Sequence, residues 1–142
     1  MIVRHVPCQA DLSLCSAKQK CWCYRTEVEN NNDRPIRVIW FEFYYRDECH
    51  GDGNDWFGNN IRNRPLRNED FVAWYNDGGE LRDGWLAPGQ VAACDLNYSF
   101  AFSPKISPVK WSFIAVDAEG KDYFAEAMVD AEVATLFEPE AG

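Results

Sequence analysis

The sequence predicts an all-β fold, mainly antiparallel, arranged as a two-sheet β-sandwich with one or two short helices. Three observations carry that expectation. Residues 91–102 alternate: Cys94, Leu96, Tyr98, Phe100 and Phe102 are apolar, while Asp95, Asn97 and Ser99 are polar. A period of two marks a strand with one wet face. Residues 36–46, IRVIWFEFYYR, form the strongest strand candidate of the chain, because β-branched and aromatic side chains suit a pleated, half-buried surface. Residues 110–116 and 122–129 flank Asp117-Ala-Glu-Gly-Lys121, where Gly120 supplies the positive φ that a short hairpin loop needs.

The remaining elements follow in order. Residues 1–18 mix Pro, Gln, Ser and Asp with little periodicity, so 1–19 is expected as an N-terminal arm packed on a single domain over 20–142. Residues 20–29 read as a strand with Trp22, Tyr24, Thr26 and Val28 on one face and Cys21, Cys23, Arg25, Glu27 and Glu29 on the other. Asn30-Asn-Asn-Asp-Arg-Pro35 is a turn by composition. On the 36–46 strand, Ile39, Phe41, Phe43 and Tyr45 share one apolar face; the other begins apolar at Ile36, Val38 and Trp40 and then turns mixed at Glu42, Tyr44 and Arg46. Such a strand is central, or carries a patch that something else covers. After a polar connection over 47–69, Asn68 is placed to cap a short helix, Phe71, Trp74 and Tyr75 share one helical face, and Gly78 can end it. Residues 80–86 suggest another strand, 86–89 a turn, and Asp130 the start of a last short helix through Phe137.

The net charge is −9 over 142 residues, and it is uneven. Residues 1–71 are nearly balanced at −1; residues 72–142 hold twelve acids against four bases. An acidic field disfavours nucleic acid and anionic membranes and favours a basic protein partner. Solubility alone is the competing explanation for such a charge. No segment has the ~20 apolar residues of a membrane span, and the first residues lack the apolar core of a signal peptide. The cytoplasm is the compartment expected from this; a secreted or periplasmic one follows if the cysteines are paired.

Six cysteines stand at positions 8, 15, 21, 23, 49 and 94. An even count permits a disulfide framework in which Cys8 and Cys15 bridge to Cys21 and Cys23. Zinc held by these thiolates, with His5, is a second reading. However, six, five and one intervening residues do not form the paired Cys-x₂₋₄-Cys knuckles of structural sites, so no metal or cofactor is expected. Free thiols, with Cys acting as a small apolar residue, are the third reading and the default, with disulfides the main rival.

Catalytic signals are weak. The 47–55 stretch gathers Asp47, Glu48, Cys49, His50, Asp52 and Asp55. Asp52-x-Asn54 begins like a calcium loop, but Trp56 and Asn63 stand where ligands belong. Adjacent Cys49 and His50 point apart on an extended chain. No nucleophile elbow, zinc-protease helix or phosphate loop is present. An enzyme centred on this loop is therefore a third-ranked function and no catalytic residue is assigned.

Pro35-Ile-Arg-Val, Tyr45-Arg-Asp and Leu86-Ala-Pro-Gly-Gln90 give a rhythm that resembles small immunoglobulin-like accessory domains of bacteria. The resemblance covers the middle of the chain and implies an immunoglobulin-like sandwich, with no functional residues attached. The function expected is a non-enzymatic protein-binding module, an acidic inhibitor or immunity-like protein acting on a basic surface. Its binding residues are expected at Trp40 and Tyr44, at the acids Asp122, Glu126 and Asp130, and at the basic knot Arg62, Arg64 and Arg67. That knot could grip an anion or dock the acidic C-terminal region of a second copy, giving a homo-oligomer. A secreted, disulfide-stapled carbohydrate-binding or adhesion sandwich is the alternative.

Overall fold

Alternating side chains build two antiparallel sheets that face each other across one aromatic core. A computed structural model describes residues 1–15, 19–46, 56–59, 65–76, 79–101 and 108–139. The strands are β1 (Ile2–Val6), β2 (Cys21–Glu29), β3 (Arg37–Arg46), β4 (Trp56–Asn59), β5 (Leu66–Arg67), β6 (Val91–Phe100), β7 (Val109–Val116), β8 (Asp122–Met128) and β9 (Thr135–Phe137). The helix α1 spans Asn68–Tyr75, and a 3₁₀ turn spans Leu12–Leu14. The first sheet runs β1-β2-β6, with β9 taking over from β1 beside the start of β2. The second runs β4-β3-β7-β8, with β5 also on β3. This is an all-β two-sheet sandwich.

The core lies between the sheets. Tyr24, Thr26 and Val28 come from β2, Val38 and Phe41 from β3, and Trp111, Phe113 and Ala115 from β7, all of them buried. Phe41 is the hub. It stacks on Phe113 at 5.4 Å between ring centroids and meets Trp74 and Tyr75 of α1 edge-on at 5.5 and 5.8 Å. Edge and offset contacts of this kind add to the burial of the rings themselves. The indole N–H of Trp111 donates to the Tyr24 hydroxyl at 2.8 Å, so neither buried polar atom is left bare.

Two β-bulges re-aim the strands, and both overturn expectations of strict alternation. On β3, Val38 pairs with Ala115 but Trp40 pairs with Ile114, so Ile39 is an extra residue. A bulge shifts the inward phase by one. Val38 and Phe41 point in, while Ile39 and Trp40 are both 38% exposed; Ile39 does not share the face of Phe41. On β6, three steps from Asn97 to Cys94 oppose two from Tyr24 to Thr26. Asn97 is consequently buried and Tyr98 exposed, the reverse of the wet and dry faces expected there. Asn97 is accommodated because its amide donates to Thr26 Oγ1 at 2.8 Å and to the Tyr75 hydroxyl at 3.3 Å.

Other expectations need correction. The arm over 1–19 is in part an integral strand, since Ile2–Val6 pairs along the second half of β2. Residues 80–86 make isolated bridges only, Arg82 to Trp85 and Ile36 to Leu86. After Asp130 there is a turn and then β9, not a helix. The helix over 68–75 is present, but Asn68 does not cap it. Its amide is taken by the carbonyls of Val38 and Gly84 at 2.8 and 3.3 Å, while Asp70 reaches back to the Arg67 N–H at 2.9 Å. The expected stop at Gly78 lies outside the described residues.

Candidate binding face

Sheet register gathers Trp40, Tyr44, Asp122 and Glu126, four of the eight expected binding residues, on the outer face of the second sheet. Across β3, β7 and β8 the partners run Trp40–Ile114–Phe124, Glu42–Ser112–Glu126 and Tyr44–Lys110–Met128. Their side chains alternate with buried or partly buried ones that pack on the core, so all nine project to the same outer side. The result is an apolar row, an acidic row and a mixed row. Phe124 is 62% exposed and Met128 50%. A shallow groove of about 240 Å³ runs between Trp40, Tyr44, Lys110, Phe124 and Glu126.

The acidic row is held by neutral hydroxyls. Tyr44 donates its phenol proton to Glu42, and Ser112 donates to Glu126 at 3.2 Å. Burial and then the Glu42 carboxylate push the Tyr44 phenol up to about 12, so it stays a donor at neutral pH. The Lys110 ammonium lies over the Tyr44 ring, 5.5 Å from its centroid.

Of the residues expected from sequence, Trp40, Tyr44 and Glu126 come together here. Asp122 extends the array by one row, opposite Val116 and Arg37. Arg67 borders it, paired with Trp40 across β5 and lining a second depression with Arg37 and Ile39. Asp130 does not join: its carboxylate accepts from the Glu132 N–H at 2.9 Å and holds the turn after β8. Arg62 and Arg64, and the 47–55 stretch, lie outside the described residues. Glu42, Lys110, Ser112, Ile114, Phe124 and Met128 complete the nine without having been assigned to binding from the sequence. The alternation of Asp122, Phe124, Glu126 and Met128 was a usable signal, but only with the β8 face known.

The cysteines gather elsewhere. Cys21 and Cys23, fully buried, face away from the core as expected and are covered by Cys8, Leu12, Cys15 and Phe137. Cys23 Sγ is 3.6 Å from Cys21 Sγ and 3.8 Å from Cys15 Sγ. The five described cysteines carry free thiols, the default of the three readings; the rival bridges from Cys8 and Cys15 to Cys21 and Cys23 are not formed. Burial pushes the Cys21 and Cys23 thiols up, which makes them neutral and poor nucleophiles. His5 is engaged away from them, with Nδ1 2.9 Å from Thr26 Oγ1 and Nε2 3.1 Å from the Ala127 carbonyl.

No family model matches the chain, and no curated protein does. Among solved structures, it is similar to a Bordetella pertussis protein that carries the provisional name ApaA. The identity is 16%, the TM-score 0.45, and the match covers 99% of this chain and 90% of the other. No helix among the described residues is long and apolar enough to cross a membrane.

Proposed function

We propose that the chain is a non-enzymatic protein-binding module of the inhibitor or immunity type, using the outer face of the second sheet to engage a basic partner surface. The observation that carries this reading is the register that sets exposed Trp40 and Phe124 beside the carboxylates of Glu42 and Glu126. Exposed aromatic side chains are common anchors of binding hot spots, and carboxylates beside them select a basic partner. The nine-residue array spans roughly 10 by 14 Å, from two strand spacings and two same-face steps. A stable interface buries about 800 Å² per partner, so the array serves as the centre and Asp122, Arg37 and Arg67 as the rim. The net charge of −9 favours encounter with a basic surface.

The finer immunoglobulin-like reading belongs to the same proposal. It is supported by a strand order in which the first, second and sixth strands face a sheet centred on the third and seventh, the pairing of strands A, B and E against C, F and G in that fold. The proposed compartment is the cytoplasm, in keeping with free thiols. The disulfide-stapled alternative lacks its staple among the described residues.

Affinity enrichment from the source cell's extract tests the proposal. The tagged chain should retain a basic protein in a salt-sensitive way, and the double variant Asp122→Lys/Glu126→Lys should lose it. A Glu132→Lys control, off the face, should keep it. Equal retention by all three chains would reject this face as the binding site.

A further inference from the structure

Three thiols, Cys21 and Cys23 at the start of β2 and Cys15 at the end of the 3₁₀ segment, lie within 4.8 Å of one another. We propose that Cys15, Cys21 and Cys23 form a thiolate site for a zinc ion that clips the segment before β2 onto the first sheet. Nothing in the binding-face reading depends on it.

The geometry comes first. A tetrahedral zinc with Zn–S bonds of about 2.3 Å sets its sulfurs about 3.8 Å apart. The Cys23 sulfur stands 3.6 and 3.8 Å from those of Cys21 and Cys15, and all three lie within 4.8 Å of one another. Two of the three separations already match that spacing, and the third is at most 4.8 Å. The topology explains why the spacing looked wrong in the sequence. Cys21 and Cys23 are i and i+2 on one strand, so they share a face, and Cys15 reaches them from the C-terminal end of the 3₁₀ segment. A strand pair plus one residue from a covering turn replaces the usual knuckle. Cys8 packs on the same buried pair but is not among the three sulfurs within 4.8 Å of one another, so the fourth position is left to water or another donor.

The donor set narrows the ion. Sulfur-only sites select soft ions, zinc and Cu(I) among them. Three thiols binding Zn²⁺ release three protons and leave the site at −1; a monovalent ion would leave −2 in a place with two fully buried ligands. Burial of residual charge is costly, which favours the divalent ion.

Energetics supply the role. Among the described residues, Leu12 and Phe137 pack on the small cluster beside the cysteines, and Leu14 next to it is 71% exposed. β1 pairs with residues 25–29 of β2, and the segment from 7 to 15 makes no strand pairing among the described residues; its contacts with the rest of the fold involve side chains. They include the Gln9 N–H bond to Asp95 at 2.8 Å. A bound zinc would supply the anchoring that apolar area does not.

The test uses the reduced, metal-free chain and Co²⁺ as a spectroscopic probe. One Co²⁺ per chain should give a thiolate charge-transfer band with intense visible bands of tetrahedral cobalt, and Zn²⁺ should bleach them. Cys15→Ser, or Cys15→Ala if serine perturbs the fold, should weaken binding by about a hundredfold or more; Cys94→Ser should not. X-ray absorption of the zinc form should count three or four sulfurs. Absence of the charge-transfer band would overturn the proposal. So would undiminished binding in both Cys15 variants, fewer than three sulfurs on the zinc, or a Cys15–Cys23 disulfide in the natively purified protein.

Discussion

His5 sits at the seam between the sheets and ties β1 to the end of β8. Its Nε2 meets the Ala127 carbonyl, an acceptor, so Nε2 carries the proton and Nδ1 accepts from the Thr26 hydroxyl. Its ring also meets Tyr24 edge-on at 5.4 Å. Burial lowers its pKa from 6.5 to about 4. Between those values the unfolded chain holds a proton that the folded chain does not, so stability rises with pH across the window. The contribution is complete above pH 6.5 and lost as pH falls toward 4. A difference of that size corresponds to about 3 kcal/mol. Urea unfolding at pH 7 and pH 4 should show the wild type losing about that much more than His5→Gln; parallel losses would refute the assignment. Asn30 is a second such residue. Fully buried, it donates to the carbonyls of Arg34 and Leu86 at 2.8 and 2.9 Å and accepts from the Asn32 N–H at 3.0 Å. Asn30→Ala strands those groups, and should cost roughly 2–4 kcal/mol in urea unfolding; a loss under about 1 kcal/mol would mean water replaces the amide. Neither role can be read from composition, because a His on a short strand and an Asn in an Asn-rich turn look ordinary until their partners 56 and 122 residues away are known.

Elements are where the sequence was most legible and where it misled in a specific way. The β7–β8 hairpin was readable from two alternating runs around Asp117-Ala-Glu-Gly-Lys121. Gly120 adopts φ +83°, and a Cβ added there would meet nothing within 4 Å. Gly120→Ala should therefore cost only the left-handed strain, about 1 kcal/mol, seen as a modest drop in melting temperature. A larger loss would imply a packing role the geometry does not contain. The strands β2, β3 and β6 were likewise readable, as was α1 from Phe71, Trp74 and Tyr75. What period-two counting missed is the pair of bulges. One extra residue at Ile39 swaps which side chains reach the core, and no composition signal distinguishes that residue from its apolar neighbours. β1 and β9 were missed for another reason. They are five and three residues long and depend on pairing with β2, a non-local contact that short-range patterns do not contain.

At the scale of the whole molecule, sheet register converts scattered residues into one surface. Trp40 and Phe124, 84 positions apart in sequence, stand in a single row with Ile114 between them. Trp40, Tyr44, Asp122 and Glu126 are separate candidates in the sequence; only the paired strands bring them together. The bulge at Ile39 matters here too, since it is what turns Trp40 outward. Trp40→Ala should leave stability within about 1 kcal/mol, because the ring is half-exposed, yet weaken partner binding by about 2 kcal/mol if the ring is an anchor. Calorimetric melting and titration of the enriched partner would separate those effects. The most direct measurement of the central claim is site-specific photo-crosslinking in the source cell. A photoreactive side chain would replace Phe124 on the outer face of the second sheet, and in a separate chain Glu29 on the outer face of the first. The account predicts a heavier adduct containing a basic protein from position 124 and none from position 29. An adduct at position 29 with none at 124, or no adduct at either, would contradict it.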